Sequence, residues 1–548
     1  MKGAASWKIF LLLAHLGLLI IAIAAGRWLY AGALGQNDIL AVVNPYPQVT
    51  MADNLAHCPV NPYPQIKVRV GKFAANPFVY VWDWYKGMNG RLPVAIMDSL
   101  LAQAARLCPT PESFPWWLLR ALSLYCLLAI PLNLMAAVGT WAKRPAMTLI
   151  LLVAVWSVWI VSPNVYIFSA MFDIILTDRN IQMYVLSWMI MAAVNNWMGK
   201  SLWRWGLMGI GIVFVSSEQN LPSAPLLLLA TGWLGLEGKA SAGRDWLKQV
   251  FYYAAWTALA AAVFFLSPGQ HLRNVCCLPM NSIGNFSPLA WYRQVIDLGY
   301  GALFPAHPAQ LWLWHLILYC ILGLGIMLWL IIRLAGRTME NDSRQKLFGI
   351  GLMAFAFLTA FLVSMTTLIV SPYFPPYAAC YPALFLAAGL VFSFWFILDG
   401  AAAGMDALSE KAVGLRLVST RIGCTIALPI LAVILLARTI TVPAWPGLLT
   451  AYRHIMEQSR NRRQVYAEII RCRSTTGQRH FILMNLWKSP VWGLHMDDAW
   501  GRAGYFRWRG MEDIVCMTED EWTAAGRPQE QLYFKLDCAK VIQNESKK

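Results

Sequence analysis

Charge is what this sequence has least of. Asp, Glu, Lys and Arg make up 13% of its 548 residues while 58% are hydrophobic, about half the charged fraction of a soluble globular domain. With a mean hydropathy of +0.50, that scarcity excludes an ordinary soluble fold and points to a multi-pass membrane protein. Acidic residues are scarcer than basic ones, 28 against 44, for a formal charge of +16. The cations sit mostly in short loops rather than on one contiguous face, which argues for membrane orientation and against a nucleic-acid partner. The 11 cysteines contain no Cys-x-x-Cys pair, so no zinc site is indicated. A nucleotide-phosphate loop is also missing, and the apolar segments show no duplicated halves.

What is present is a series of apolar runs. Trp7 to Tyr30 is long enough to cross a hydrocarbon core of roughly 30 Å. Lys2 precedes it and no small-residue cleavage site closes it, so it reads as a retained anchor with a cytoplasmic amino end. Further spans are expected at 116–141, 146–163, 183–198, 204–216, 221–237, 249–267, 311–333, 347–371, 379–399 and 421–439, giving about eleven transmembrane helices. Loop charges test the count independently. Expected inside loops carry Lys143 and Arg144, Lys200 and Arg204, Lys239, Arg244 and Lys248, Arg337, Arg344 and Lys346, and Lys411 and Arg416. The short outside loops are almost free of cations: 216–220 and 371–377 have none, and 164–182 has only Arg179. This positive-inside alternation places the loop 31–115, the loop 267–309 and the tail on the outer face. The chain divides into a membrane module, 1–442, and a small α+β extracytoplasmic domain, 443–548.

The first outer loop repeats Val43-Asn44-Pro45-Tyr46-Pro47-Gln48 as Val60-Asn61-Pro62-Tyr63-Pro64-Gln65; its prolines disfavour helix, leaving a rigid spacer or a sugar or peptide platform. From Pro93 to Leu107, Ile96, Leu100, Ala104 and Leu107 follow helical spacing with Asp98 and Arg106 elsewhere on the wheel, the pattern of an amphipathic helix along a membrane surface. In the tail, Arg460, Arg462 and Arg463 belong to a helix, and strand-like runs cover 480–487 and 531–536. So small a domain has limited burial and is expected to pack on the membrane-proximal face or to use a disulfide. Cys58, Cys108, Cys276, Cys277, Cys472, Cys516 and Cys538 lie on the expected outer side.

Chemistry-bearing residues gather in the outer segments. Asn37-Asp38-Ile39 follows the first span, and Trp84-Tyr85-Lys86-Gly87-Met88-Asn89-Gly90-Arg91 comes later in the same loop. Asp38 is a base facing a lipid-phosphate head group or a helix cap. Asp53 and Asp83 are its rivals in that loop. Glu218, in Ser216-Ser217-Glu218-Gln219-Asn220, is a functional carboxylate at a span end or a solvated hairpin residue. Ser267-Pro268-Gly269-Gln270-His271-Leu272-Arg273 ends a span with Pro-Gly and offers Arg273 to a phosphate or to the interface.

In this order, the early acidic residue, Asn89-Gly90-Arg91, Ser217-Glu218-Gln219-Asn220 and Ser267-Pro268-Gly269-x-x-x-Arg273 resemble bacterial polytopic glycosyltransferases of the GT-C superfamily, in their O-antigen glucosyltransferase-like branch. Trp500 to Ile514, with Gly501, Gly504, Tyr505 and Gly510, resembles the aromatic, glycine-containing end motif of such proteins. The resemblance implies an inverting transfer of a sugar from a polyprenyl-phosphate donor to an envelope glycan or glycolipid such as lipopolysaccharide, at the outer face of the bacterial cytoplasmic membrane. It implies Asp38 as the catalytic base with Glu218 in support, and Asn89, Arg91, Asn220, Arg273 and Tyr505 as substrate-binding residues. The family's acidic pair is Asn37-Asp38 here, and the late loop Ser371 to Cys380 lacks the family's arginine, which puts more weight on Arg91 and Arg273. The cofactor is unidentified: Asp38 and other carboxylates could hold a divalent cation, but no spacing demands one. Many spans with polar interiors also suit a flippase or transporter for a lipid-linked saccharide, and a third reading is a non-catalytic subunit of an envelope complex.

Sidedness is testable directly. Lys2 is expected inside and residues 453–548 outside, so alkaline phosphatase fused after Lys548 should be active and a cytoplasm-dependent fluorescent reporter there dark; both termini on one side breaks the odd span count.

Overall fold

The computed structural model describes residues 2–29, 77–87, 90–110, 113–138, 174–216, 220–236, 241–272, 341–365, 444–486, 509–511, 513–527 and 530–546, with scattered single residues between 289 and 506. These residues are mostly helical. The long helices are α1 (Lys2–Leu29), α2 (Pro77–Gly87), α3 (Leu92–Arg106), α4 (Trp116–Val138), α5 (Ile174–Val194), α6 (Leu202–Val215), α7 (Asn220–Leu236) and α8 (Ala242–Phe265). The short α9 (Pro268–Leu272), then α10 (Asn341–Ser364) and α11 (Ala444–Thr476), follow. Within them Ile9–Arg27, Trp116–Leu134 and Leu347–Ser364 are long and apolar enough to cross a membrane.

The apolar runs at 116, 204 and 221 become α4, α6 and α7 almost residue for residue, whereas α5 corrects the expectation. It starts at Ile174, so Asp178, Arg179, Asn180 and Gln182 are helical and buried rather than lying in an outer loop. Hydropathy alone misplaces them because the protein interior, not water, receives their polar groups. α8 and α10 likewise begin earlier than their apolar cores, carrying Arg244, Lys248, Arg344 and Lys346 inside the helices instead of in loops. In α8, Ser241 stands at the N-cap position without a side-chain cap bond, its hydroxyl donating instead to Asp245 Oδ2 at 2.7 Å, and Asp245 in the first turn complements the helix dipole. The expected spans 146–163, 311–333 and 421–439 lie outside the described residues.

Side-chain pairs give each helix its direction. α1 runs antiparallel to α4, with Leu18 against Ala129 and Leu132 and Gly26 against Ala121, where an added Cβ would lie 2.7 Å from the alanine Cβ. α4 and α5 are parallel: Asn180 Nδ2 donates to Ser123 Oγ at 2.8 Å, and Asn133 Nδ2 to Ser187 Oγ at 2.9 Å. α6 and α8 are also parallel, with Trp205 edge-on to Tyr252 at 4.7 Å and Gly209 beneath Trp256. α7 returns between them, Trp233 meeting Trp246 at 5.3 Å. α10 pairs antiparallel with the helical residues 381–396 through Phe357 and Phe392 (5.6 Å, stacked) and Gly351 beside Phe396. The first turns of α4, α5 and α7 therefore share one end of the bundle with the last turns of α1, α6, α8 and α10. We call it the head.

The tail packs beside the head. Three parallel strands, β1 (His480–Met484), β2 (Val515–Thr518) and β3 (Phe534–Asp537), have the order β2-β1-β3. α12 (Glu519–Ala524) and α13 (Cys538–Ser546) complete it. Thr518 and Glu521 form a reciprocal capping box at the start of α12, and the Glu521 carboxylate also receives Arg502, a guanidinium with 1% exposure. Val465, Tyr466 and Ile469 of α11 pack with Phe481, Leu483 and Leu536, and this core runs on into Ala105 of α3 and Trp116 and Leu119 of α4. Of the two expected ways to stabilise so small a unit, packing is the one used among the described residues: Cys472, Cys516 and Cys538 are free thiols, and burial pushes those of Cys516 and Cys538 up to about 12.

Two tests follow from this packing. Phe481, fully buried, should cost about 3–5 kcal/mol when replaced by Ala, read in the intact protein as faster amide exchange across β1 to β3. Arg473 grips Asp513 at 2.8 Å, with Arg479 at 3.2 Å from the same carboxylate, and the Arg473 hydrogen bond holds the Asp513 carboxyl below its ordinary value. The stability it adds is present at neutral pH and lost as pH falls through that lowered value. Asp513→Asn should therefore melt lower than wild type at pH 7, and the difference should shrink as pH falls through that lowered value.

Candidate functional site

The head concentrates polar side chains that an apolar bundle would otherwise exclude. Asp98 and Ser99 of α3, Arg120 and Ser123 of α4, Asp178, Arg179, Asn180 and Gln182 of α5, and Asn220 and Ser223 of α7 are each 5% exposed or less. Removing an ion from water costs several kcal/mol unless it is paired, and Asp98, Arg120, Asp178 and Arg179 all engage partners. The two acids and two bases make the described layer formally neutral. Gln182 is its central connector: its Nε2 donates to the Phe214 carbonyl at 2.9 Å, and its Oε1 accepts from the Tyr381 hydroxyl. Arg179 lies over the Tyr381 ring at 5.8 Å, so α5, α6 and the 381–396 segment are tied at one level.

Two of the short motifs meet here. Gly90 lies against the last turn of α8, where an added Cβ would sit 2.5 Å from the Phe264 carbonyl oxygen, so only glycine permits the approach. Ser267 Oγ donates to the Tyr85 carbonyl at 2.6 Å and accepts from Gln270 N at 3.2 Å, opening α9. The segments 85–90 and 264–267 thus meet, Tyr85 and Ser267 being 182 positions apart in sequence. Arg91 is the N-cap residue of α3, partly buried and making no side-chain cap hydrogen bond.

Asn220 opens α7 and is fully buried; among the described residues neither its amide nitrogen nor its amide oxygen has a partner. The strand of chain before it is anchored by Ser216, whose hydroxyl donates to the Ile212 carbonyl at 2.6 Å. Arg91 and Asn220 are the two sequence-derived site residues described at the head. Asp38, Asp53, Asn89, Glu218 and Arg273 lie outside the described residues, as does the side chain of Asp83.

Tyr505 falls elsewhere. It is 4% exposed, stacked on Tyr466 at 4.1 Å with Arg509 over its face at 5.2 Å. Its ring is part of the core of the tail. The amphipathic helix is found at 92–106, with Ile96 49%, Leu100 60% and Leu107 beyond its end 87% exposed while Asp98 turns inward at 1%. Asp98, Arg120, Asp178, Arg179, Gln182 and Tyr381 are the head residues that the motif reading passes over. Arg120, set in Trp116-Trp117-Leu118-Leu119-Arg120-Ala121-Leu122, carries the clearest sequence trace, a cation interrupting an apolar run. Among the described residues no three His, Cys, Asp or Glu side chains form a metal-ligand set.

Tyr381→Phe tests the connector. It strips Gln182 Oε1 of its donor in a buried site, an expected loss of about 1–3 kcal/mol visible as a lower melting temperature; an unchanged melt would show that the Gln182 bridge does not hold the head together.

The chain matches no protein-family model, no curated protein and no solved structure, so the reading of the head rests on its own geometry and on the order of its motifs.

Proposed function

We propose that this protein is a membrane glycosyltransferase that moves a sugar from a polyprenyl-phosphate donor to an envelope glycan or glycolipid on the outer face of a bacterial cytoplasmic membrane. The observation that carries the reading is the head itself: a layer of buried acids, guanidinium groups and amides at one end of an apolar helical bundle, the end at which Gly90 packs on Phe264 and Ser267 bonds to the Tyr85 carbonyl. A lipid-linked donor presents its phosphate and sugar at that depth while its chain stays among apolar helices. The layer offers what such chemistry uses. Carboxylates take the acceptor hydroxyl proton as the hydroxyl attacks the anomeric carbon, and cations neutralise the departing phosphate, so no general acid is needed. In this reading Asp38 is the base, Glu218 supports it, and Arg91, Arg273, Asn89 and Asn220 bind the donor.

One observation favours the flippase reading. Polar pairs descend the α4–α5 seam from Ser123–Asn180 to Asn133–Ser187, and His15 Nδ1 meets Tyr125 OH at 3.1 Å beside Tyr184 OH at 3.4 Å from it. Interhelical hydrogen bonds of this kind also serve simply as glue between membrane helices.

Purified protein given labelled polyprenyl-phosphate sugar and candidate glycans separates the readings: transfer supports the enzyme, and translocation across vesicles without transfer supports the flippase. Asp38→Asn keeps shape but loses basicity and should slow turnover roughly 10²–10⁴-fold. If instead Asp83→Asn or Glu218→Gln abolishes transfer while Asp38→Asn spares it, the base is misassigned; activity in all of them removes the carboxylate-base mechanism. Arg91→Lys keeps the charge but loses the planar fork, with donor binding expected to weaken by about 1.5–3 kcal/mol; unchanged affinity there and in Arg273→Lys would clear both of phosphate binding.

A further inference from the structure

Asn220 differs from the other polar side chains buried in the head because both halves of its amide are unspent. Its Nδ2 is a donor and its Oδ1 an acceptor; both are out of contact with solvent and neither has a partner among the described residues. Gln249 Oε1 and Tyr253 OH are also unpartnered, but each lies inside α8, where no backbone groups remain to join it. Asn220 is the first residue of the 17-residue α7. A helix start leaves its first amide N–H groups without intrahelical acceptors and carries the positive end of the dipole, which makes it a ready anion site. Pro222 brings no N–H, so Asn220 and Leu221 supply the backbone donors of that first turn. The last turn of α6 is held in the head by the Gln182 bond to the Phe214 carbonyl, on the level where Arg179 lies over Tyr381.

These donors and acceptors specify a ligand class. An esterified, fully ionised phosphoryl group accepts hydrogen bonds but has no P–OH left to give to Oδ1. A bare sugar gives and accepts but has no charge for the dipole to hold. An anion with a hydroxyl beside it meets both demands. We infer that the N-terminus of α7, with Asn220, is the glycosyl-phosphate subsite of the head: backbone N–H groups and Asn220 Nδ2 donate to the phosphoryl oxygens, and a sugar hydroxyl donates to Asn220 Oδ1. The inference rests on the glycosyltransferase reading for its site and adds which part of the donor Asn220 holds.

The test uses the full chain in detergent and follows its melting temperature with a panel of hexose 1-phosphates (glucose, galactose, mannose, N-acetylglucosamine), the free hexoses and inorganic phosphate. At least one hexose 1-phosphate should raise the wild-type melting temperature by more than free hexose and phosphate together. Asn220→Leu replaces an unpartnered buried amide with an apolar group of similar size, so without ligand it should melt higher than wild type, and its affinity for that hexose 1-phosphate should fall at least tenfold. Asn220→Ala removes the same two atoms and repeats the binding arm should the leucine disturb folding. A ligand-free Asn220→Leu protein that melts lower than wild type, a ligand shift that survives both variants, a shift with inorganic phosphate as large as with the sugar phosphate, or no shift with any hexose 1-phosphate overturns the subsite. Competition by polyprenyl-phosphate hexose addresses the other premise: a lipid that fails to displace bound hexose 1-phosphate leaves the subsite standing and removes the lipid-linked donor from the proposed function.

Discussion

A charged or amide side chain taken out of water must find partners inside the protein, because the alternative costs more than most single contacts return. The head of this bundle is arranged around that constraint. Asp98, Arg120, Asp178 and Arg179 are sealed from solvent on three different helices, and their mutual arrangement dictates which helix ends must lie together. Gln182 then spends both ends of its amide to fasten α5 to α6 and to Tyr381. Away from the head the bundle is held by ordinary means: aromatic edges, small residues at crossings, and apolar side chains such as Met189, Ile212, Leu227, Phe357 and Phe385 in one continuous core.

The tail extends the same constraint outward. A three-stranded parallel sheet with short flanking helices has too little surface to bury on its own, and it borrows Ala105, Trp116 and Leu119 from the membrane module to finish its core. α3 thereby touches three environments at once. Asp98 faces the polar layer, Leu101 and Ala105 face the tail, and Ile96 and Leu100 remain uncovered. A shift of α3 would be felt by all three, which makes it the mechanical link between tail and head.

Much of the helical framework was legible from apolar runs. α4, α6 and α7 follow them closely because each is a nearly pure hydrophobic segment closed by Gly, Ser or Asn. The start of α5 was hidden for a physical reason: Thr177-Asp178-Arg179-Asn180 reads as loop when the receiving medium is assumed to be water, and as helix only once the partners Ser123 and Tyr381 are known. The packing of Tyr505 is hidden for the opposite reason. Its glycine-rich, basic surroundings suggested an exposed binding motif, but ring stacking on Tyr466 depends on α11, some forty residues upstream (residue 466), and no local pattern encodes it. Arg91 and Asn220 were picked from motif order, while the contact between the Gly90 and Ser267 turns needed the three-dimensional structure.

The parallel pairing of α4 and α5 bears on how the chain is made. Two parallel neighbours cannot form a simple hairpin, and residues 139–173 join their opposite ends. α4 therefore leaves the ribosome with Ser123 and Asn133 on a face whose partners Asn180 and Ser187 have yet to be translated. At about 5–20 residues per second, α5 follows several seconds behind. During that interval a hydroxyl and an amide on α4 wait unmatched, so the polar seam between these two helices closes only after the chain has made both of them.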